Sequence, residues 1–220
     1  MKNYLSTLQN CPLFAGITES DIETLMKCLS ASNNHYNKNS IIWCEGDTVK
    51  FIGIVLIGAV HVLREDYWGK RKILTRVESG GLFGEAFVCS GVEELPISIM
   101  TAEESEILFI DYKRIMAPCS AACGFHAGLI RNLTLILARK NITLMQKLEY
   151  VTQSTTREKL LAYFSEQARL TGSNEFDIPF NREELADFLS VERSAMSAEL
   201  SKMRKDGLVL YRKSHFELLE

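Results

Sequence analysis

Apolar positions along the chain fall into three regimes of spacing, and each predicts a different kind of element. Residues 18–31 (TESDIETLMKCLSA) place Ile22, Leu25, Met26 and Leu29 on one helical face behind a Thr/Ser cap and early acids, which predicts a short helix. From Asn33 to Asp111 the pattern breaks into brief apolar runs, namely Ser40–Cys44, Phe51–Ile57, Val60–Arg64, Ile73–Val77, Ile97–Thr101 and Glu106–Ile110, separated by Gly, Asn or charged turns. Roughly six to eight short strands, folded as a β-roll or sandwich, are the expectation. After Pro118 the helical period returns. Residues 124–152 read as one uninterrupted helix, about 43 Å long at about 1.5 Å per residue.

Within that helix a second period is superimposed. Ile130, Leu137, Leu144 and Val151 recur every seven residues, with Thr134, Asn141 and Leu148 four positions further on, the spacing of a two-stranded coiled-coil seam. Asn141 in such a seam costs stability but fixes register and a two-stranded state. The other reading is a helix packed on its own β-domain through Leu129, Leu133 and Ile136, and the two are compatible. A further helix, 156–170, is capped by Thr155-Thr156-Arg157-Glu158.

Asn181 to Leu210 (NREELADFLSVERSAMSAELSKMRKDGLVL) then reads as two short helices joined by a four-residue turn and followed by a strand. Asn181 and Glu184 have capping-box spacing. Leu185 and Leu189 face inward, Ala186 permits a close crossing, and Val191, Met196, Leu200 and Met203 continue the buried set. Pointing outward from the second helix are Arg193, Ser194, Ser197, Ala198 and Ser201, small and polar where long charged residues are usual. A helix with such a face can sink into the major groove, so the segment is expected to be a helix-turn-helix. The plainer alternative is an ordinary antiparallel helix pair.

Composition changes this picture little. With 46% apolar and 24% charged residues in 220, the chain has the make-up of an ordinary globular protein. Its longest apolar stretches, Ile52–Val60 and Leu133–Ala138, fall well short of the ~20 residues of a membrane span, and no secretory leader is seen at its start; a cytoplasmic location with no membrane partner is expected. Six scattered cysteines then predict reduced thiols. The net charge of −3 looks wrong for a DNA binder, and of the 25 basic and 28 acidic residues, 10 and 12 follow Gln153. Distribution matters more than the sum, because contacts with phosphate are local and screened beyond about 8 Å. Arg182, Arg193, Lys202, Arg204, Lys205, Arg212 and Lys213 all fall in the two-helix unit or the strands after it.

The order of these parts resembles the Crp/Fnr superfamily of bacterial transcription regulators along nearly the whole chain. The resemblance rests on Glu45-Gly46-Asp47, the Gly58 turn, Phe83-Gly84-Glu85, the long helix and REELADFLSVERSAMSAELSKM. It implies an α+β protein: a β-roll of the cyclic-nucleotide-binding jelly-roll type over residues 1–123, a long dimerisation helix over 124–153, and a winged helix-turn-helix over 154–220. It also implies a homodimer on a two-fold site in double-stranded DNA, with RNA polymerase as a further partner. By the family pattern Arg182 contacts the DNA backbone and Arg193, Ser194 and Ser197 read bases, with Lys202 and Lys213 completing the DNA-binding set.

Two departures from the family pattern are informative. Where members that bind cyclic AMP carry an arginine for the phosphate followed by Ser or Thr, this chain has Leu95 and Pro96. A leucine cannot neutralise a phosphate, and proline has no N–H to offer. Gly84 and Glu85 still match the ribose-gripping pair, although Glu85 could equally cap a short helix over 86–89. An effector other than cyclic AMP is therefore expected near Gly84, Glu85, Leu95, Pro96 and Thr143, unless side chains fill the cavity, in which case there is none. The second departure is Ala198, where the family commonly has an arginine reading guanine. Its loss removes a contact worth about 1–3 kcal/mol of discrimination.

Cys119, Cys123 and His126, at i, i+4 and i+7, offer a rival metal or redox sensor, against the commoner use of cysteine as a small apolar filler. No fourth ligand lies nearby, and no cofactor is expected. His35, His61, His126 and His215 are not flanked by a nucleophile elbow, phosphate loop or paired metal motif, so the chain is not expected to be an enzyme.

Overall fold

The computed structural model describes residues 4–65, 67–68, 71–117 and 125–219, which fall into two compact units, Met1–Arg139 and Lys140–Glu220. In the first unit β1 (Ser32–Tyr36), β8 (Ser105–Asp111), β3 (Phe51–Ile57) and β6 (Leu82–Phe83) form one antiparallel sheet in that order. A second sheet runs β2 (Ile41–Trp43), β7 (Ser98–Thr101), β4 (Ala59–Glu65) and β5 (Arg71–Glu78). The expected roll is present, with strands close to the apolar runs that predict them.

Strand β3 carries a continuous apolar run because both of its faces are buried. Ile52, Ile54 and Leu56 point to a helical layer made by α1 (Leu5–Asn10), the 3₁₀ turn Pro12–Phe14, α2 (Glu19–Cys28) and the first half of α5 (Phe125–Val151). Val55 points the other way, into the space between the sheets, beside Val60, Ile99 and Ile107. Residues 52, 54 and 56 share a face because successive side chains of a strand alternate. The helical layer is pinned by polar contacts as well as apolar ones: buried Asn132 of α5 donates through Nδ2 to the carbonyls of Leu13 and Ala15, at 3.0 and 2.9 Å. Leu129, Leu133 and Ile136 of α5 are buried in the same layer, so the helix does pack on its own roll over this half.

Aromatic rings meet in the space between the sheets. Trp43 lies 5.2 Å from Phe83 and 5.8 Å from Phe109, centroid to centroid, and Phe83 and Phe109 meet edge to face at 6.4 Å. Two glycines make room for these rings. A Cβ on Gly53 would lie 2.1 Å from the Phe83 ring, and one on Gly84 would lie 2.5 Å from Trp43. Gly84 also has φ +80°, a left-handed conformation that side chains resist.

The second unit gathers α6 (Thr156–Thr171), α7 (Arg182–Phe188) and α8 (Arg193–Lys205) on a three-stranded sheet of order β10 (Val209–Arg212), β11 (His215–Leu218) and β9 (Glu175–Asp177). Capping boxes start the first two helices, at Thr155/Glu158 and Asn181/Glu184. Leu185, Leu189, Met196, Leu200 and Met203 are buried as their spacing predicts. Around them lies an aromatic cluster in which Phe164 meets Phe216 at 4.4 Å and Phe180 stacks on Phe188 at 4.8 Å. The unit is a winged helix-turn-helix.

Several elements escape the sequence pattern. β1 (SNNHY) is a polar edge strand paired only with β8, and β6, β9, α1 and α4 (Tyr112–Met116) are too short for a period to show. In β11, His215 bridges to β9: its Nδ1 lies 3.1 Å from Asp177 Oδ1 and its Nε2 lies 2.9 Å from Glu175 Oε1. These two carboxylates hold its pKa above the ordinary histidine value, Glu175 first. A raised folded pKa stabilises the fold fully below the unfolded value of about 6.5, and the contribution is lost as pH rises through the folded value. His215→Ala should therefore lower the thermal midpoint of this unit at pH 5.5 and leave it nearly unchanged at pH 9, read by circular dichroism; equal losses at both would point to packing instead of charge.

Candidate nucleic-acid interface

Helix α8 divides its residues cleanly between core and solvent. Met196, Leu200 and Met203 are buried, whereas Arg193, Ser194, Ser197, Ala198, Ser201 and Lys202 are exposed. The helix starts on Glu192, whose carboxylate accepts the Ala195 N–H at 2.8 Å and the Ser194 hydroxyl. These hydrogen bonds, with the Ser194 hydroxyl foremost, hold the Glu192 carboxyl below the usual carboxylate range. Ser197 and Ser201 donate their hydroxyl protons to the carbonyls four residues back, Arg193 and Ser197, each at 2.9 Å. Their oxygens keep lone pairs on the exposed face, ready to accept from base amino groups. Arg193 is the first residue of the helix, one turn before Ser197.

The basic residues differ in how firmly they are held. Lys202 reaches Glu199 at 3.7 Å, a surface pair that leaves its charge largely available. Lys213 is exposed at the tip of the β10–β11 turn, with φ +57°. Arg182, the first residue of α7, lays its guanidinium 4.6 Å from the Tyr211 ring centroid and 4.9 Å from that of Phe216. Its Nη1 is buried without a hydrogen-bond partner, and burial pushes its pKa below the usual arginine value. The rings lie together because Tyr211 pairs with Phe216 across the β10–β11 ladder. Arg182 and Lys213 line one open groove of about 580 Å³, with Asn181, Glu184 and Ser214. Tyr211, Phe216 and the capping Glu192 are the site residues that sequence reasoning missed. No local period reveals them, since the ring pair depends on hairpin register.

In the roll, the residues expected to meet an effector are largely enclosed. Glu85 and Leu95 are 3% and 2% exposed, and Trp43 covers Gly84. Leu95 has a structural task where a phosphate-binding arginine would stand: its N–H donates to the Asp47 carbonyl at 2.9 Å and its carbonyl accepts from Gly46 N at 2.8 Å, closing the Glu45-Gly46-Asp47 turn. Pro96 follows at the start of the run into β7. Thr143 is exposed on α5 and belongs to the second unit. Glu85 opens the short helix α3 (Glu85–Ser90). Cys119 and Cys123 lie outside the described residues; His126 is buried, its Nε2 3.1 Å from the Arg114 carbonyl. Among the described residues no group of three or more His, Cys, Asp or Glu is placed to hold a metal ion, and no helix is long and apolar enough to cross a membrane.

Along α5 the expected seam changes character. Ile130 and Leu137 are partly buried against the core of the first unit. Leu144 and Leu148 are 66% and 60% exposed, with Ile142, Met145 and Asn141 open beside them.

The family model of the cyclic nucleotide-binding domain matches residues 33–121, and that of the Crp-like helix-turn-helix domain matches residues 158–220. No curated protein matches the chain. Among solved structures it is similar to the c-di-GMP-responsive global regulator CLP of Xanthomonas campestris, with TM-score 0.58 and 17% identity over 91% of this chain and 100% of that one. It is also similar to a CooA mutant from Carboxydothermus hydrogenoformans, with TM-score 0.54 and 19% identity over 90% and 86%. A third likeness is to the catabolite activator protein of Thermus thermophilus, with TM-score 0.50 and 22% identity over 94% and 93%. At these identities the structures speak for the fold alone. The two family models in this order, carried on a roll, a long helix and a winged helix-turn-helix, mean that the chain belongs to the Crp/Fnr superfamily of bacterial transcription regulators.

Proposed function

We propose that the protein is a homodimeric, sequence-specific DNA-binding regulator acting in the cytoplasm, with roll 1–123, dimerisation helix 124–153 and DNA-binding unit 154–220 as its working parts. The observation that carries this reading is the exposed face of α8, where Arg193, Ser194 and Ser197 lie open to solvent while the opposite face is buried. Arg193, Ser194 and Ser197 read bases; Arg182, Lys202 and Lys213 hold backbone phosphates. The partner is a two-fold duplex site, and RNA polymerase is the expected further partner.

Selection from a random duplex pool should return paired half-sites about one helical turn apart, and affinity should fall steeply with salt as phosphates release counterions. Arg193→Ala should relax base preference, whereas Lys213→Ala should weaken every sequence alike. Binding that ignores salt contradicts the reading.

Dimerisation through α5 is supported by Leu144 and Leu148, apolar side chains left more than half exposed in a single chain at seven-residue-repeat positions. Replacing both with Glu spares the buried half of the helix and should give folded monomers in sedimentation at micromolar concentration. A wild-type monomer under those conditions would refute the dimer.

The proposed effector site lies in the roll, at Gly84, Glu85, Leu95 and Pro96, and the effector is a compound other than cyclic AMP. A second reading, regulation without any effector, is favoured by the rings of Trp43, Phe83 and Phe109 that crowd the space between the sheets. Both readings expect millimolar cyclic AMP to leave the thermal midpoint unmoved. A ligand at 100 times its Kd would add about 2.7 kcal/mol, an easily read shift.

A further inference from the structure

Among the described residues Arg182 is a cation without a counter-ion. Among the described residues no carboxylate pairs with its guanidinium, and its Nη1 is buried without a hydrogen-bond partner. What holds it is aromatic: the Tyr211 ring at 4.6 Å and the Phe216 ring at 4.9 Å. Arg204, from the last turn of α8, approaches the same Tyr211 ring at 5.8 Å. A desolvated charge without a partner costs free energy, and the faces of rings offset part of that cost without neutralising the charge, as a carboxylate would. The charge stays available to an outside anion, in a groove that also presents Lys213. Stacking also removes most of the rotamer freedom that a long exposed side chain would otherwise lose on contact.

We propose that Tyr211 is a positioning residue for DNA binding, its ring fixing Arg182 uncompensated and preorganised to meet a backbone phosphate, with Phe216 as the second surface of the clamp. The ring links the wing to both helices of the reading unit: Arg182 begins α7, Arg204 lies at the end of α8, and Tyr211 stands in β10. The inference deepens the DNA-binding reading above and rests on it. It adds that the wing acts on phosphate through a ring, in addition to its own cation Lys213. It also explains an aromatic residue at a half-exposed strand position where Val209, its neighbour on the same face, is buried.

The test uses the full-length protein and two 30-base-pair duplexes, one recovered by selection and one of random sequence, with affinity measured over a series of salt concentrations. Tyr211→Leu should weaken both duplexes by the same factor, about three- to tenfold, and should lower the salt slope by about one per protomer. Tyr211→Phe, which keeps the ring, should match wild type. Arg182→Met should reproduce the loss, and Tyr211→Leu added to Arg182→Met should cost little more. A purely structural role for Tyr211 would weaken binding without changing the slope, and the two losses would multiply; either result overturns the proposal. Should Tyr211→Leu fail to fold by circular dichroism, Arg182→Lys decides: with the clamp it falls towards Arg182→Met, because an ammonium lacks the planar fork that lies flat on a ring, whereas a simple point charge would keep wild-type affinity. Wild-type protein with no salt-dependent binding to either duplex would refute the DNA-binding reading itself, whereas normal wild-type binding with an ineffective Tyr211→Leu refutes only the clamp.

Discussion

Two-sided burial of the strand Phe51–Ile57 is the constraint on which the N-terminal unit depends. Ile52, Ile54 and Leu56 anchor the helical layer, while Val55 and the space above Gly53 belong to the aromatic interior. A strand in that position tolerates no polar side chain on either face, so its sequence reads as an unbroken apolar run. Trp43, Phe83 and Phe109 meet between the sheets, Leu95 closes the Glu45-Gly46-Asp47 turn, and Gly84 admits the tryptophan. Burial of these side chains supplies hydrophobic stabilisation to the roll.

The DNA-binding unit solves a different problem, since one helix must be held firmly yet leave a whole face bare. Its support comes from beneath and from the ends. Phe164 and Phe216 pack under the helices, Arg157 ties α6 to Glu199 and Asp206 at 2.5 and 2.7 Å, and Lys159 donates to the carbonyls of Leu189 and Ser190 in the turn. With the scaffold so held, the outer face needs no long side chains for stability, and serines that use their hydroxyl protons on their own backbone suffice there. Ala198 lies on this face as well.

Helix α5 serves two environments along one length. Its first half is locked by Leu129, Leu133 and Asn132 to the N-terminal unit, and its second half bears Leu144 and Leu148 to solvent in the single chain. The apolar residues of the first half follow the period of a packed helix and those of the second the period of a seam. One sequence carries both stripes because they lie on neighbouring sides of the cylinder.

By itself the sequence determined whatever depends on short-range periodicity and local chemistry. The roll strands with apolar runs, the long helix, the capping boxes at Thr155 and Asn181, and the inward set Leu185, Leu189, Met196, Leu200 and Met203 were all legible, because each is encoded within a few residues. The family resemblance followed from the order of those parts. Tertiary structure alone decided the rest. β1 is a strand only because β8 offers it an edge, and α1 is a helix of six residues only because Leu8 finds a core. The aromatic interior of the roll depends on rings from three strands meeting in space, and the seating of Arg182 depends on a hairpin register that brings Tyr211 opposite Phe216. Such contacts join residues far apart along the chain, and no local pattern records them, since their free energy exists only once the backbone has brought them together.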